Sequence, residues 1–267
     1  MAMPKKCLPC SKNGRNRTSR FGSSRIIHRI LGCPRCLAFG HLGIHKSQPS
    51  QLTPKLKSKR LPGHPIHRSF FEAPPELVAP RLLGKLLVHH SPKGVLAGRI
   101  VEVEAYLGPH NDPPDPAAHS HRGPTPRNLV LFGPPGHAYV YIIYGRYYCM
   151  NFSCEAEGRG GGILLRAVEP VLGLDQMAAN RGLSKGVPAR MLTSGPGRLC
   201  QAMDITRPKH NGLDLLSPSS SLQVRDDGAA EHDALVTVRI GITHAVDFPL
   251  RFVVKGHECV SGPKRLR

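Results

Sequence analysis

The chain has no tryptophan, and only eight phenylalanines and six tyrosines among its 267 residues. A core built from it must rest mainly on aliphatic side chains. No apolar run approaches the roughly 20 residues that cross a bilayer, so no membrane-spanning helix is expected. The basic N-terminus has no uninterrupted apolar segment followed by a small-residue cleavage site, so no secretory signal is read. The expected location is intracellular: cytoplasm or nucleoid in a bacterium, nucleus in a eukaryote. Acidic residues are missing until Glu72, while residues 1–60 carry 14 of the 37 Lys and Arg. A segment so charged repels itself and attracts polyanions, so residues 1–65 are expected to be a disordered basic extension. The other 207 residues hold 23 basic and 18 acidic side chains, so most of the +19 net charge belongs to the extension. The remainder is mildly basic, which permits a nucleic-acid partner without requiring one.

The eight cysteines give no disulfide framework. Cys7 and Cys10, with Cys33 and Cys36, form two CxxC pairs at near zinc-ribbon spacing, and four thiolates could close a structural zinc site. The sequence between the pairs has few core-forming residues and no strand alternation, which favours a segment without metal. Cys149, Cys154, Cys200 and Cys259 are scattered and read as buried or idle thiols.

The folded region is expected over residues 66–267. Residues 73–90, "APPELVAPRLLGKLLVHH", read as a helix opened by Pro74 and Pro75, with Leu77, Leu82, Leu83, Leu86 and Leu87 on one side. A strand follows in "GVLAGRIVEVEAYLG", where Ile100, Glu102, Glu104 and Tyr106 share one face and Val101, Val103 and Ala105 the other. A Pro-rich loop leads to a tyrosine-rich strand. "GGILLRAVEP" is a further strand, "EPVLGLDQMAANRG" a helix ending at Gly182, and "TSGPGRLCQAM" a helix capped by Ser194. "ALVTVRIGI" and "LRFVVKG" close the chain as strands. This order of elements predicts one α+β domain.

Chemistry concentrates in a few places. Glu102 and Glu104 lie on an otherwise apolar strand, where a carboxylate is costly to bury unless partnered; an edge strand with solvated glutamates is the plain alternative. Arg166, flanked by Leu164, Leu165, Ala167 and Val168, calls for an anionic partner. His119 is one of 15 histidines and follows a loop, so surface exposure is its ordinary reading. Five of the six tyrosines fall between Tyr139 and Tyr148. Core packing accounts for some of them. Tyr144, beside Gly145 at a strand end, is placed to protrude, and an aromatic ring there could stack on a base or part a base step.

The blocks "GRIVEVEAYLGP", "AAHS", "TPRN", "YVYIIYGRYYCMN", "ILLRAVEP", "SGPGRLCQAM" and "RIGI" resemble, in content and order, those of the alkyladenine (3-methyladenine) DNA glycosylase family. The resemblance spans about residues 70–261. It implies a curved, mainly antiparallel β-sheet core flanked by helices. It also implies a monofunctional hydrolase that flips alkylated or deaminated purines, such as 3-methyladenine, 7-methylguanine or hypoxanthine, out of double-stranded DNA and cleaves the N-glycosidic bond. On this resemblance Glu104 is the general base for water and Arg166 its partner. Tyr106, His119 and Tyr141 are walls of the base pocket. Asn151 crowds the amino group of guanine, Tyr144 fills the gap left by the flipped nucleotide, and Thr125 and Arg127 touch the DNA backbone. No cofactor and no membrane partner are implied, and a monomer is expected. The competing expectation is a non-catalytic nucleic-acid-binding module driven by the basic extension.

Overall fold

A computed structural model describes residues 63–229 and 232–263. The basic extension before Gly63, with its four cysteines, lies outside the described residues. Among those described, nine strands form one sheet in which every pairing is antiparallel. They are β1 (His64–Pro65), β2 (Leu86–Ser91), β3 (Gly94–Tyr106), β4 (Ala138–Ile143), β5 (Tyr147–Cys154), β6 (Gly161–Leu172), β7 (Leu222–Asp226), β8 (Ala234–Thr237) and β9 (Arg251–Val254). The spatial order is β1-β7-β2-β3-β6-β5-β4; β9 joins the distal half of β3, and β8 joins β9. Short helices pack on the sheet: α1 (Pro75–Leu82), α2 (Leu174–Asn180), α3 (Ala189–Thr193), α4 (Pro196–Ala202) and α5 (Arg207–His210). The expected α+β fold with a mainly antiparallel sheet is the one observed.

Strand β3 organises the sheet. Its first half pairs with β2 on one edge, its second half with β9 on the same edge, and β6 runs along the other. Ile100 to Ala105 are all buried, so both faces are covered and the glutamates are not those of a solvated edge. The ladder between β3 and β6 is irregular at the decisive place. From Ile100 to Glu102, β3 advances two residues against one on β6; from Glu102 to Val103, β6 advances two, from Ala167 to Leu165. Val101 and Arg166 are the extra residues of two compensating bulges, a device that re-aims side chains. Ile100 therefore leaves the glutamate face expected for it and joins Val101, Val103 and Ala105 in the main apolar core.

Several expected boundaries shift. The helix expected through residue 90 stops at Leu82, and Leu86 onward is strand. Gly84, at φ +84°, breaks the helix, and the run Leu86–Leu87–Val88 is buried on both faces of β2. Such a run has no period that separates helix from strand. Leu77, expected on the buried side, is 58% exposed. Likewise β6 continues through Leu172, and the next helix begins only at Leu174, after Gly173 at φ +83°. Ser194 is not the cap of α4. Gly195 takes that position, while Ser194 is extended and bridges to Ala167. The strand expected over 234–242 ends at Thr237, which frees residues 239–242 to form a loop at the site described below.

A buried histidine pair ties β2 to α5. His89 Nδ1 lies 2.6 Å from the carbonyl of Met203, which can only accept, so the proton sits on Nδ1. His89 Nε2 is then bare and accepts from His210 Nε2 at 3.1 Å. That leaves His210 Nδ1 to accept the Thr206 N–H at 3.1 Å. Both rings are neutral in this arrangement. Burial, followed by the neighbouring His89, pushes His210 down to about 4 from 6.5, and burial lowers His89 as well. The pair's contribution to stability is thus present above pH 6.5 and is lost as the pH falls toward 4, because the unfolded chain takes up protons that the native state refuses. We expect urea unfolding to reveal a loss of about 1–3 kcal/mol between pH 7 and 4.5 from this source. His210→Gln should lose less over the same interval; an equal loss would assign the acid sensitivity to other groups.

Candidate active site

A cavity of about 770 Å³ opens beside β3, β4, β5 and β6 and is walled by Tyr106, His119, Tyr139, Tyr141, Asn151 and Arg166, with Tyr144 and Tyr147 also on its boundary. Four strands, the helix α4 and several loops thus bring together residues far apart in the chain. The expected site residues Tyr106, His119, Arg127, Tyr141, Tyr144, Asn151 and Arg166 all line this cavity.

Glu104 lies just behind the lining and is completely buried. Its Oε2 accepts from the Tyr106 hydroxyl at 3.0 Å and from Arg166 Nη1 at 3.1 Å, and its Oε1 accepts from the Ile240 N–H at 2.8 Å. Tyr106, Arg166 and Ile240 are themselves cavity residues. The carboxylate is therefore charge-compensated, fixed in orientation and one side chain away from the open volume. Arg166 is only 7% exposed. Burial alone would lower its basicity, but Glu104 and Glu102 outweigh that and hold it above its usual value, so it stays charged.

The aromatic wall is a packed set. Tyr139 and Tyr141 alternate on β4 and stack with centroids 5.4 Å apart at 25°. His119 meets Tyr141 edge-on at 4.5 Å and touches the Tyr139 hydroxyl through Nδ1 at 3.0 Å. His119 stands at the exposed rim, where shelter by its neighbours, followed by the charge of Arg127, lowers its proton affinity and favours a neutral ring. Burial, followed by Glu104, raises Tyr106, and burial, followed by Cys149, raises Tyr141, so both phenols remain protonated. Cys149 faces Tyr141 across the ladder, and burial pushes its thiol up to about 11, which makes it a poor nucleophile. Asn151, buried on β5, donates through Nδ2 to the Tyr139 carbonyl at 3.3 Å.

The β4–β5 hairpin turns at Tyr144 and Gly145, at φ +48° and +68°, with the Arg146 N–H closing on Ile143 O at 3.2 Å. Successive left-handed residues suit the twist of a tight hairpin, and glycine accepts the conformation freely. Tyrosine does not, yet Tyr144 is held there with 89% of its surface exposed. A large ring in an unfavoured conformation, turned to solvent at a cavity's edge, contributes nothing to the core. Thr125 and Arg127 are exposed nearby in sequence to His119, and the Arg127 guanidinium carbon lies 5.7 Å from the Tyr141 ring centre.

Two supports were not visible in the sequence. Asn128 is buried; its Oδ1 accepts from the Thr125 N–H and hydroxyl at 2.6 and 2.9 Å, and its Nδ2 donates to His119 O at 2.8 Å and Gly123 O at 3.1 Å. It fixes the loop that carries both His119 and Arg127. Asp115 and Arg239 form a bidentate ion pair with both side chains fully buried. Asp115 also accepts the N–H groups of Leu107 and Ala117, each at 3.1 Å. The guanidinium carbon of Arg239 sits 4.6 Å from the centre of the Tyr106 ring and backs that wall. The Asx-type turn around Asn128 could have been suspected from "TPRN"; nothing local marks the partner of Asp115. No group of three or more His, Cys, Asp or Glu able to hold a metal ion occurs among the described residues.

Residues 69–258 match the family described as methylpurine-DNA glycosylase. The chain belongs to the methylpurine-DNA glycosylase family. A protein of Koribacter versatilis named "Putative 3-methyladenine DNA glycosylase" is 50% identical over 202 residues, 76% of this chain and 95% of its own length. Proteins of the same name from Nitrobacter winogradskyi and Methanoculleus marisnigri are 47% and 46% identical, over 76% and 72% of this chain and 90% and 96% of theirs. The match to the glycosylase family covers every candidate site residue from Glu104 to Arg166. Among the described residues no helix is long and apolar enough to cross a membrane.

Proposed function

We propose that this glycosylase-family chain takes a damaged purine out of duplex DNA into the aromatic cavity and hydrolyses its N-glycosidic bond. The observation that carries this reading is the Glu104 carboxylate, buried immediately behind Tyr106 and Arg166 at the back of a ring-lined cavity. In this mechanism Glu104 takes a proton from water as that water attacks the sugar C1′, and Arg166 holds the carboxylate and the water in line. The departing base lodges between Tyr106 on one side and His119 with Tyr141 on the other. Alkylated purines such as 3-methyladenine and 7-methylguanine are cationic; they leave readily and are attracted to tyrosine faces by cation–π interaction. Neutral hypoxanthine needs a proton on the leaving base. Asn151, on the cavity wall, disfavours the amino group of ordinary guanine. Tyr144 occupies the space vacated in the duplex, and Thr125 and Arg127 hold the backbone, at a flipping cost of a few kcal/mol.

Among the described residues no lysine lines the cavity. That supports direct hydrolysis to an abasic site without a Schiff-base intermediate and strand cleavage. The family match over residues 69–258 supports residues 66–267 as the catalytic domain, to whose sheet His64–Pro65 also pair, and the charge of residues 1–60 supports the segment before it as an additional DNA contact. The test is release of free base from duplexes carrying 3-methyladenine, 7-methylguanine or hypoxanthine. Base release with strand breaks only after alkali is expected; no release from any of these lesions would overturn the reading.

A further inference from the structure

Glu102 shares a strand face with Glu104 and, like it, is not part of the cavity lining. It is completely buried, and both its oxygens are occupied. Oε1 accepts from Arg166 Nε, Arg251 Nε and the Ser261 hydroxyl, each at 2.8 Å; Oε2 accepts the Ser261 N–H at 2.6 Å. Burial would raise its proton affinity, but Arg166 and Arg251 lead the groups that hold it below the usual carboxylate range, so it is an anion. Ser261 also accepts Arg166 Nη2 on its hydroxyl at 3.3 Å and Arg251 Nη2 on its carbonyl at 2.8 Å. Ser261 lies beyond the stretch that matches the family, and the loop it belongs to follows β9.

The guanidinium of Arg166 is thereby divided. Nε goes to Glu102, Nη2 to Ser261, and only Nη1 reaches Glu104. An arginine beside a carboxylate ordinarily prefers the two-bonded fork-to-fork arrangement. Such pairing would bring a charged donor onto Glu104 Oε1, which now accepts only the Ile240 N–H, and would take the remaining lone pair that a water needs there. We propose that Glu102, Arg251 and Ser261 form a positioning clamp that keeps Arg166 from chelating Glu104, and that Ser261 is its specific latch. This inference rests on the assignment of Glu104 and Arg166 to the reaction. The buried set is also charge-balanced: Glu102 and Glu104 against Arg166 and Arg251. Glu102 and Arg251 can therefore be exchanged together without leaving a bare charge.

The experiment compares single-turnover base release from a hypoxanthine duplex by wild type, Ser261→Ala, Ser261→Thr and the double variant Glu102→Gln/Arg251→Met, with duplex affinity measured in parallel. Ser261→Ala should lower the rate about 10- to 100-fold, the range that slight misplacement of a reacting group produces. Affinity should stay within about threefold of wild type, and Ser261→Thr, which restores the hydroxyl, should recover most of the rate. The double variant should lose at least as much as Ser261→Ala. Ser261→Ala at the wild-type rate would overturn the latch, and so would loss of rate and affinity together without rescue by threonine, since that describes a structural residue. If the double variant does not fold, the serine pair decides alone. Wild type that releases no base from any lesion would instead overturn the functional reading, so the two failures are distinct.

Discussion

Glu104→Gln is expected to slow base release about 10²- to 10⁴-fold, the contribution of a positioned general base. Binding of the lesion duplex should survive, because the aromatic wall is untouched. The substitution keeps the shape of the side chain but not its acceptor pattern. Glu104 receives donors on both oxygens, from Tyr106 and Arg166 on one and from Ile240 on the other. A glutamine amide must point its N–H₂ at one of those donor sets. If it faces Ile240, two N–H groups oppose each other; if it faces Tyr106 and Arg166, its N–H₂ meets their donors; in both cases Arg166 loses one of its two anionic partners. Either arrangement leaves buried donors unmatched, at about 1–3 kcal/mol. A folded but less stable protein, active in binding and nearly inactive in excision, is the expected phenotype. It is read by single-turnover kinetics alongside a denaturant titration. Excision at the wild-type rate would remove Glu104 from the mechanism.

Tyr144→Ser should have the opposite profile in part: weakened capture of the lesion with the fold intact. The ring is 89% exposed at a hairpin tip, so its loss removes almost no packing, and the midpoint of unfolding should move by less than about 0.5 kcal/mol. An aromatic that stacks on bases contributes about 1–3 kcal/mol, or roughly 5- to 150-fold in affinity. Fluorescence anisotropy with lesion-containing and undamaged duplexes checks both the size and the selectivity of the effect. Unchanged affinity for the lesion duplex would show that the protruding ring has another purpose. The left-handed conformation of Tyr144 sharpens the expectation, because nothing in the packing of the fold calls for a tyrosine there.

The strands were legible where alternation was clean, as in β3 and β4, and the candidate residues were legible because they lie in contiguous motifs. Glu104 on a hydrophobic strand and Arg166 among aliphatic neighbours each signalled a missing partner, and they prove to be partners of one another. The boundaries failed where the signal was ambiguous in principle. Leu86–Val88 is buried on both faces and so lacks a period, while Gly84 and Gly173 reset the backbone at points that composition does not single out. The supports of the site were beyond reach for a different reason. Asp115 meets Arg239, His89 meets His210, and Glu102 meets Ser261 across more than a hundred residues of chain, in every case as an isolated side chain with no local pattern. Pairing at that distance is a property of the sheet's topology, and the topology follows from pairings that one sequence leaves open.

The offset between β3 and β6 constrains how this chain can vary over time. Val101 and Arg166 are surplus to the ladder on opposite strands, so each corrects the slip that the other introduces. Losing Val101 alone would force one end of β3 to turn over, exposing either Ile100 or the two glutamates to the wrong surface. Losing Arg166 alone would do the same to β6. Descendants can gain or shed residues here only in matched pairs, and the matched deletion that makes the ladder regular between Ile100 and Val103 also discards the guanidinium. A length polymorphism in this short window would therefore mark a chain that has kept its architecture and lost the contact between Arg166 and Glu104.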